Sequence, residues 1–520
     1  MSSSNQNSMN ANDLKENILE ADIVIIGTGA GGGVSAEIFA EAGLKVILIE
    51  EGPHKTARDF SMQEKKAYPE LYQEAAGRKT LDKGISILQG RSVGGSTTVN
   101  WTTSFRTPAK TLEHWDKEWG LGRHDQKTLA PWFNKMEQRL NIEPWQIPAN
   151  ANNQLIEKGA KKLGWSVGTI ARNVKNCANL GYCGMGCPIN AKQSMLITTI
   201  PKALKLGALL LHQARVNKLV IEGDKVIGCE LSPMNVQGHP ASERVITLRA
   251  SHTILSAGAI GSPAILLRSH APDPYQLIGK RTFLHPVVIC SSIMPDKVNA
   301  YQGAPQSIYS DQFLWPNDDS IGFKIEAAPL HPLLVSTVLT EFGQKHFELM
   351  KQFPYMQGSL ALLRDGFHQQ SVGGEVILDQ YGYPKLDYKI TDYVWEGARR
   401  ALLSMSELLF AAGAKKVLPM HLQAIPYSNW KSTQEAIKKL PMEVLKAQVM
   451  SAHVMGGSTM GSDEKSSVVD EQGKFRHLEN LHIFDGSIFP TSIGANPQLS
   501  LYGLVARLAT ELSVNLGSKQ

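Results

Sequence analysis

The sequence predicts an α/β fold that begins with a strand, a glycine-rich turn, a helix and a second strand. Residues 21–26 form a short β-branched run of the kind found in buried strands of parallel sheets. Residues 34–42 are small or apolar, as in a helix that packs on a sheet, and Gly43 ends this segment. A second apolar run, residues 45–49, completes one βαβ unit.

The turn after the first strand has the spacing G-x-G-x-x-G, formed by Gly27, Gly29 and Gly32. In such a motif the first glycine allows the tight turn, the second lets the backbone approach a pyrophosphate, and the third allows close helix packing. The helix N-terminus then offers free N–H groups to the phosphates. Glu50, at the end of the second strand, can accept a hydrogen bond from a ribose 2′-OH and would repel a 2′-phosphate. The motif predicts an adenine dinucleotide and does not by itself separate FAD from NAD.

Composition excludes several classes of protein. The 520 residues contain 42% hydrophobic and 19% charged residues, as in globular proteins, and the net charge of +5 gives no field that would indicate nucleic-acid binding. No apolar run reaches the length of a membrane span, and the polar residues 1–18 predict a disordered tail without a secretory signal. Five cysteines, an odd number, do not indicate a disulfide framework. A cytoplasmic location is therefore expected, with peripheral attachment to a membrane left open.

The remainder of the chain alternates between strand-like and helical segments. Apolar residues recur at helical spacing in residues 395–412, and a last strand (481–484) leads through a turn to a final helix (499–514). Further strands are expected in the middle of the chain, at residues 209–212, 216–221, 244–248 and 252–255.

Four segments, in order along the chain, resemble signatures of the glucose–methanol–choline (GMC) oxidoreductase family of flavoproteins. They comprise residues 90–100, 258–270, 453–457 and 485–497. The match slips by one residue at Ser104, where Phe105 carries the expected aromatic ring, and His270 stands where a glycine is usual. The resemblance implies FAD and a Rossmann-like FAD-binding domain interleaved with an α+β substrate-binding domain, which has an antiparallel sheet with helices. We assign residues 19–109, 195–299 and 446–520 to the former, and residues 110–194 and 300–445 to the latter.

The resemblance also implies which residues contact the cofactor. Gly95, Ser96 and Asn100 would contact the flavin or its phosphates. The backbone at Val216 would reach the adenine, and Asp485 and Gly486 would hold the ribityl and pyrophosphate region. Val99 stands where some members attach FAD through a histidine, and valine has no nucleophilic nitrogen. FAD is therefore expected to bind non-covalently.

Two catalytic residues follow from the same resemblance. His453 would take the proton of a substrate hydroxyl, for which an imidazole is suited near neutral pH, and Asn496 would orient that hydroxyl. The expected reaction is oxidation of a primary or secondary alcohol, with oxygen, a quinone or a redox protein as electron acceptor. Relatives with the same fold also include hydroxynitrile lyases and fatty acid photodecarboxylases. A flavin-binding subunit without turnover and an NAD-dependent dehydrogenase remain alternatives. His285 lies in a loop that also resembles the family, and we interpret it as structural.

Three cysteines lie close together in the sequence, at Cys177, Cys183 and Cys187. This stretch resembles that of long-chain alcohol oxidases, which favours longer, apolar alcohols as substrates. Three thiolates could hold an iron–sulfur cluster, or zinc with a fourth ligand. No fourth cysteine lies nearby and the spacing is not a common zinc spacing, so a structural role without a metal is the favoured interpretation.

Overall fold

The computed structural model describes residues 7–517. The helices are α1 (Ala30–Glu41), α2 (Glu64–Leu71), α3 (Ala109–Trp119), α4 (Gln126–Arg139), α5 (Ala151–Leu163), α6 (Thr199–Lys205), α7 (Gly258–Arg268), α8 (Pro332–Val338), α9 (Gly343–Lys351), α10 (Asp392–Ala412), α11 (Trp430–Lys439) and α12 (Gln498–Gly517). The strands are β1 (Ser8–Asn10), β2 (Ile18–Ile26), β3 (Val46–Glu50), β4 (Ile85–Ile87), β5 (Thr103–Ser104), β6 (Ile142–Pro144), β7 (Gly168–Thr169), β8 (Ala171–Asn173), β9 (Leu209–His212), β10 (Ala214–Glu222), β11 (Lys225–Pro233), β12 (Ile246–Leu255), β13 (Lys280–Leu284), β14 (Val287–Ile293), β15 (Ile308–Phe313), β16 (Phe323–Ala327), β17 (Met356–Leu363), β18 (Gly374–Leu378), β19 (Pro384–Asp387), β20 (Lys416–Pro419), β21 (Val449–Ser451), β22 (Val454–Gly456) and β23 (Leu481–Ile483).

The first sheet confirms the predicted βαβ unit and the α/β class. Its strand order is β1-β9-β3-β2-β12-β11-β10, with β23 also paired to β12. Strands β1, β9, β3, β2, β12 and β23 are parallel, while β11 and β10 extend the sheet as an antiparallel hairpin. The carboxyl ends of β2, β3, β12 and β23 therefore lie at one edge, where open α/β sheets bind ligands.

The second large sheet is mostly antiparallel, as expected for the substrate-binding part. Its order is β4-β21-β14-β17-β16-β15-β7, with β20 paired to β14 and only β4 parallel to its neighbour. Helices α5 and α10 pack on it, and α10 is capped by Thr391 at its start and by Gly413, in the left-handed conformation, at its end. Two smaller sheets have the strand orders β19-β18-β13-β22 and β5-β8-β6.

The predicted disordered tail is wrong for part of its length. Residues 8–10 form β1, which pairs in parallel with β9, and residue 18 already begins β2. Polar side chains do not prevent this pairing, because Asn10 donates to Gln213 and the backbone bonds are satisfied by the neighbouring strand. Residues 1–6 of the predicted tail lie outside the described residues.

The two hydrophobic cores divide the chain differently from the predicted boundaries in two regions. Apolar residues between 112 and 142 pack into the core of the first sheet, against α12, although they were assigned to the substrate-binding part. Strands β4 and β14 belong to the second sheet and its core, although they were assigned to the FAD-binding part. Sequence order alone does not reveal which core a helix face will join.

Candidate active site

The turn between β2 and α1 is shaped by glycines that the fold itself requires. Gly27 has φ +99°, and a Cβ there would lie 2.2 Å from the carbonyl oxygen of Ser256 at the end of β12. A Cβ at Gly31 would lie 1.6 Å from the carbonyl oxygen of Phe484, and one at Gly32 would lie 1.9 Å from that of Gly27. The helix start is thus pressed against the ends of β12 and β23, as predicted for Gly27 and Gly32.

Gly29 differs, because the protein leaves space around it. It has φ −66°, which any residue can adopt, and a Cβ there would meet only the Cα of Gly95, at 4.0 Å. The first N–H groups of an α-helix have no intrahelical partner, and no side chain caps those of α1. Gly95, with φ +53°, would place a Cβ 2.8 Å from the Cα of Gly29. Two glycine turns therefore meet at an uncapped helix N-terminus, and these residues fit a dinucleotide pyrophosphate.

Thr28 connects the two turns to the carboxylate of Glu50. The Thr28 hydroxyl donates to Glu50 Oε2 (2.5 Å) and accepts from the Gly94 N–H (2.9 Å). The N–H groups of Thr28 and Gly52 also donate to Glu50, at 3.2 and 2.9 Å. Burial raises the pKa of Glu50, and these donors oppose that increase. Glu50 therefore holds the turn in place in addition to its predicted contact with a ribose hydroxyl.

Val216 lies near the same edge of the sheet. The neighbouring Arg215 on β10 donates to Glu51 at 2.9 Å, and the Gln213 N–H donates to the Gly52 carbonyl. These bonds bring the start of β10 beside the end of β3, where the adenosine end of a dinucleotide is expected. The contact predicted between Val216 and adenine stays a prediction.

Asp485 is bound by protein donors. Its Oδ2 accepts from the Gly258 N–H (2.9 Å) and from the Ser262 hydroxyl, and its Oδ1 accepts from the Ser487 N–H (2.8 Å). Burial raises its pKa, against the effect of these bonds. The side chain links the start of α7 to the Asp485–Gly486 turn, so its first role is to position backbone groups, including that of Gly486, at the edge of the sheet.

The segment that contains Ser96 and Asn100 is held from both sides. Gly90 N–H donates to Ser96 Oγ at 3.0 Å, and Asn100 Nδ2 donates to Gln498 Oε1 at 2.6 Å, next to the start of α12. The buried Lys192 ammonium donates to the carbonyls of Thr98, Asn100 and Cys183 at 2.8, 2.7 and 2.6 Å. Burial lowers the pKa of Lys192 to about 8.

His453 is linked to His285 by a hydrogen bond between their Nδ1 atoms (3.0 Å). The Gly494 N–H donates to His285 Nε2 (3.1 Å), so that nitrogen carries no proton. Burial lowers the pKa of His285 well below its usual value and that of the partly exposed His453 to about 4, so both rings are neutral near pH 7. His285 then carries its proton on Nδ1 and donates it to His453, whose own proton lies on Nε2.

The direction of this hydrogen bond bears on the role predicted for His453 as a base, which stays a prediction. A base at Nε2 needs a lone pair there, and the hydrogen-bond chain assigns a proton to that nitrogen. His453 therefore presents an N–H donor. His285, interpreted from the sequence as structural, determines which nitrogen of His453 is protonated.

Asn496 lies beside the same centre. Gly494, which donates to His285, precedes Asn496 by two residues, so the chain from Gly494 through His285 brings the predicted imidazole and carboxamide into one region. Asn496 is buried, and its Nδ2 donates to Glu326 Oε2 at 3.2 Å. The sequence pattern does not indicate Glu326 as a site residue, because the strand that carries it contains no recognisable motif.

An apolar cavity of about 50 Å³ lies in the second core, larger than the roughly 10–15 Å³ needed for one water. Helix α8 supplies one wall, and almost all of the lining is apolar. Two of its lining residues stand close in sequence to the predicted site: Trp101 follows Asn100, and Met450 precedes His453 by three positions.

The three clustered cysteines are free, half-buried thiols. Their sulfur atoms accept hydrogen bonds from the Asn179 N–H to Cys177, from Arg172 to Cys183, and from the Ala191 N–H to Cys187. Within residues 7–517, no group of three or more histidine, cysteine, aspartate or glutamate side chains is placed to hold a metal ion. In the same range, no helix combines the length and apolar content needed to cross a bilayer.

Comparison with known proteins identifies the family. Models described as GMC oxidoreductase match residues 68–287 and 370–504. An uncharacterised GMC-type oxidoreductase of Mycobacterium tuberculosis is 30% identical over 95% of this chain and 76% of its own length. Long-chain-alcohol oxidase FAO4A of Arabidopsis thaliana is 26% identical over 94% of this chain and 67% of its own length. Formate oxidase from Aspergillus oryzae, solved in a study of its FAD modification, superposes with a TM-score of 0.71 at 15% identity, covering 97% of this chain and 100% of that chain.

The matched segments contain the Gly94–Gly95 turn, the His285 loop and the His453–Asn496 region, whereas the Gly27–Gly32 turn precedes the first of them. The chain belongs to the GMC oxidoreductase family.

Proposed function

We propose that this chain binds FAD non-covalently and oxidises the CH–OH group of a primary or secondary alcohol to an aldehyde or ketone. The open space at Gly29, the uncapped start of α1 and the contact with Gly95 support binding of the FAD pyrophosphate. Bound FAD would supply the acceptor for the hydride that leaves the alcohol carbon. Val99 supports non-covalent attachment, since its side chain has no nucleophile.

The observation that carries this proposal is the hydrogen-bond chain from Gly494 through His285 to His453. This chain supports an imidazole N–H donor at His453 in the region of the Asn496 carboxamide. The His453 donor binds the hydroxyl oxygen and stabilises the negative charge that develops on it as the C–H bond breaks. Burial keeps the ring neutral, so it remains a donor without adding a charge to the site.

The cavity supports an alcohol with an aliphatic chain. Its lining is almost entirely apolar and includes Trp101 and Met450, which stand close in sequence to Asn100 and His453, and this supports a hydrocarbon-binding role. The similarity to long-chain-alcohol oxidases agrees with this choice.

Anaerobic mixing of the purified flavoprotein with straight-chain alcohols of increasing length tests the proposal. Bleaching of the flavin, with kcat/KM rising with chain length, is the expected result. His453→Ala should slow flavin reduction by about 10²- to 10³-fold, as loss of a charge-stabilising donor does, while FAD stays bound. Reoxidation with oxygen and with a quinone then identifies the acceptor.

Other results would replace the proposal. A colourless protein that uses NAD, cleavage of a hydroxynitrile without flavin bleaching, or loss of carbon dioxide from a fatty acid only under light would each indicate a different activity. Precipitation with acid should release FAD into the supernatant, and flavin that stays with the pellet would refute non-covalent attachment.

A further inference from the structure

Two buried cations lie against the cluster of three thiols. Cys177, Cys183 and Cys187 are free and only half-buried, so a small molecule in the solvent can reach them. Arg172 Nη2 donates to Cys183 Sγ at 3.6 Å, and the Lys192 ammonium donates to the Cys183 carbonyl at 2.6 Å. The alcohol oxidation proposed above uses none of these five side chains.

The Arg172 guanidinium is buried and only partly satisfied. The residue is 1% exposed, and its Cζ lies 4.5 Å from the ring centre of Trp145. Its Nε donates to the Thr102 hydroxyl at 2.8 Å and its Nη2 to Cys183, whereas Nη1 is buried and donates to no atom of residues 7–517. A buried donor on a charged group is costly to leave without an acceptor. The guanidinium that contacts Cys183 therefore has one N–H group available for an incoming acceptor.

Asn179 supplies an unpaired atom of the opposite kind. Its N–H donates to Cys177 Sγ at 3.4 Å, and its Oδ1 is buried and accepts from no atom in the described part of the chain. An N–H group on the residue that contacts Cys183 and an acceptor on the residue that contacts Cys177 are thus both unused. Hydrogen peroxide can satisfy both atoms, because its O–H groups donate and its oxygens accept hydrogen bonds.

The surroundings of the two thiols favour different roles for them. Arg172 contacts the Cys183 sulfur, and a neighbouring guanidinium stabilises the thiolate, which is the nucleophilic form of cysteine. Burial raises the pKa of Cys177, so this thiol keeps its proton near pH 7. A negative charge on Cys183 raises the pKa of Cys177 further, and does so more than one on Cys187, which places Cys183 in the vicinity of Cys177. Cys183 therefore suits a first attack and Cys177 a second.

We propose that Cys183 and Cys177 form a peroxide-reactive pair that closes to a disulfide. The Cys183 thiolate attacks one oxygen of hydrogen peroxide, the O–O bond breaks, and the hydroxide that leaves takes a proton from the solvent to become water. Cys177 then attacks the sulfur of the Cys183 sulfenic acid, the S–O bond breaks, and the oxygen leaves as water with the Cys177 proton. The two sulfur atoms together lose the two electrons that reduce the peroxide.

Lys192 connects this pair to the segment that is predicted to contact the flavin. Its ammonium donates to the carbonyls of Thr98 and Asn100, at 2.8 and 2.7 Å, as well as to that of Cys183. The sulfur atoms are not bonded in the structure and must approach each other to bond, which moves Cys183 and the carbonyl that Lys192 holds. The affinity for FAD should therefore decrease when the disulfide forms. This consequence rests on the FAD binding proposed above, whereas the disulfide itself does not.

Titration of the purified flavoprotein with hydrogen peroxide, followed by alkylation of the remaining thiols and mass spectrometry, tests the proposal. Trypsin releases residues 176–192, which contain all three cysteines, and cleavage after Tyr182 then separates Cys177 from Cys183. The expected result is that these two fragments stay joined by a disulfide while Cys187 is alkylated. The disulfide should form at least about tenfold faster than Cys187 is oxidised in the same sample.

Serine variants separate the two steps. Cys177→Ser should stop the reaction at the sulfenic acid, which dimedone labels on Cys183. Cys183→Ser should give neither the label nor a disulfide. Cys187→Ser, the matched control, should form the disulfide at the wild-type rate. Dimedone labelling of Cys187 instead of Cys183, or an unchanged peroxide reaction in Cys183→Ser, would overturn the proposal, as would stoichiometric iron or zinc bound to the three thiols.

A binding measurement tests the connection to the flavin. The Kd for FAD of the flavin-free protein should rise by about tenfold or more after peroxide treatment and return after addition of dithiothreitol. Peroxide should leave the Kd of Cys183→Ser unchanged, and an unchanged Kd in the wild-type protein would refute the coupling through Lys192. Failure of the proposed alcohol oxidation is distinguishable, because these experiments use added peroxide and no alcohol.

Discussion

Gly29→Ala separates what the fold needs from what the cofactor needs. An alanine at this position can adopt the observed backbone angles, and its Cβ would meet only the Cα of Gly95, at 4.0 Å. The free energy of unfolding of the protein without flavin should therefore change by less than about 1 kcal/mol. The methyl group would, however, occupy the space between the helix start and an approaching pyrophosphate. Loss of one charge-assisted hydrogen bond to phosphate costs about 1.5–3 kcal/mol, which raises the Kd for FAD by about 10- to 150-fold.

Titration of the flavin-free protein with FAD, followed by tryptophan fluorescence or calorimetry, measures this Kd, and thermal unfolding of the same samples measures stability. Gly31→Ala is the contrasting variant, because its Cβ would lie 1.6 Å from the Phe484 carbonyl oxygen and should prevent correct folding. An unchanged Kd for Gly29→Ala would refute the assignment of this space to the pyrophosphate. A loss of stability as large as that of Gly31→Ala would show that the fold itself requires Gly29.

Three further perturbations test the packing, the titration and the cavity. Thr28→Val removes a buried hydroxyl that donates to Glu50 and accepts from Gly94, which should lower the free energy of unfolding by about 3–5 kcal/mol. The Tm should therefore fall by roughly 3–5 °C relative to that of Thr28→Ser. Burial lowers the pKa of His482 to about 3, below its value near 6.5 in the unfolded chain. The contribution of this neutral ring to the free energy of unfolding is therefore fully present above pH 6.5 and is lost as the pH falls from 6.5 towards 3. His482→Gln should weaken the dependence of Tm on pH in this interval, and an unchanged slope would contradict it. Val338→Phe fills part of the cavity and should lower kcat/KM for long alcohols more than for short ones; equal losses would exclude this cavity as the chain-binding site.

The first βαβ unit could be predicted because its determinants are local. Four adjacent apolar residues followed by Glu50 form β3, glycines are needed where the chain turns sharply, and Gly43 follows the end of α1. The predicted second signature likewise becomes α7, which begins at Gly258. Each of these features depends on neighbours within a few residues, so sequence spacing carries the required information.

The prediction failed where a segment's partner is distant in sequence. Residues between 112 and 142 pack on α12 in the first core, and residues 8–10 pair with the backbone of β9. An apolar helix face or an extended segment is compatible with several partners, so the choice depends on how the two sheets assemble. For the same reason the sequence did not reveal the domain to which β14 belongs.

The sequence by itself determined the cofactor-binding turn, the family signatures and the identities of His453 and Asn496. Tertiary structure alone decided the partners of these two side chains. The proton on His453 is assigned by His285, 168 positions away, and the amide of Asn496 is held by Glu326, 170 positions away. Protonation state and tautomer depend on burial and on the partner of each ring or carboxyl group, and such partners meet only when separate strands pack together.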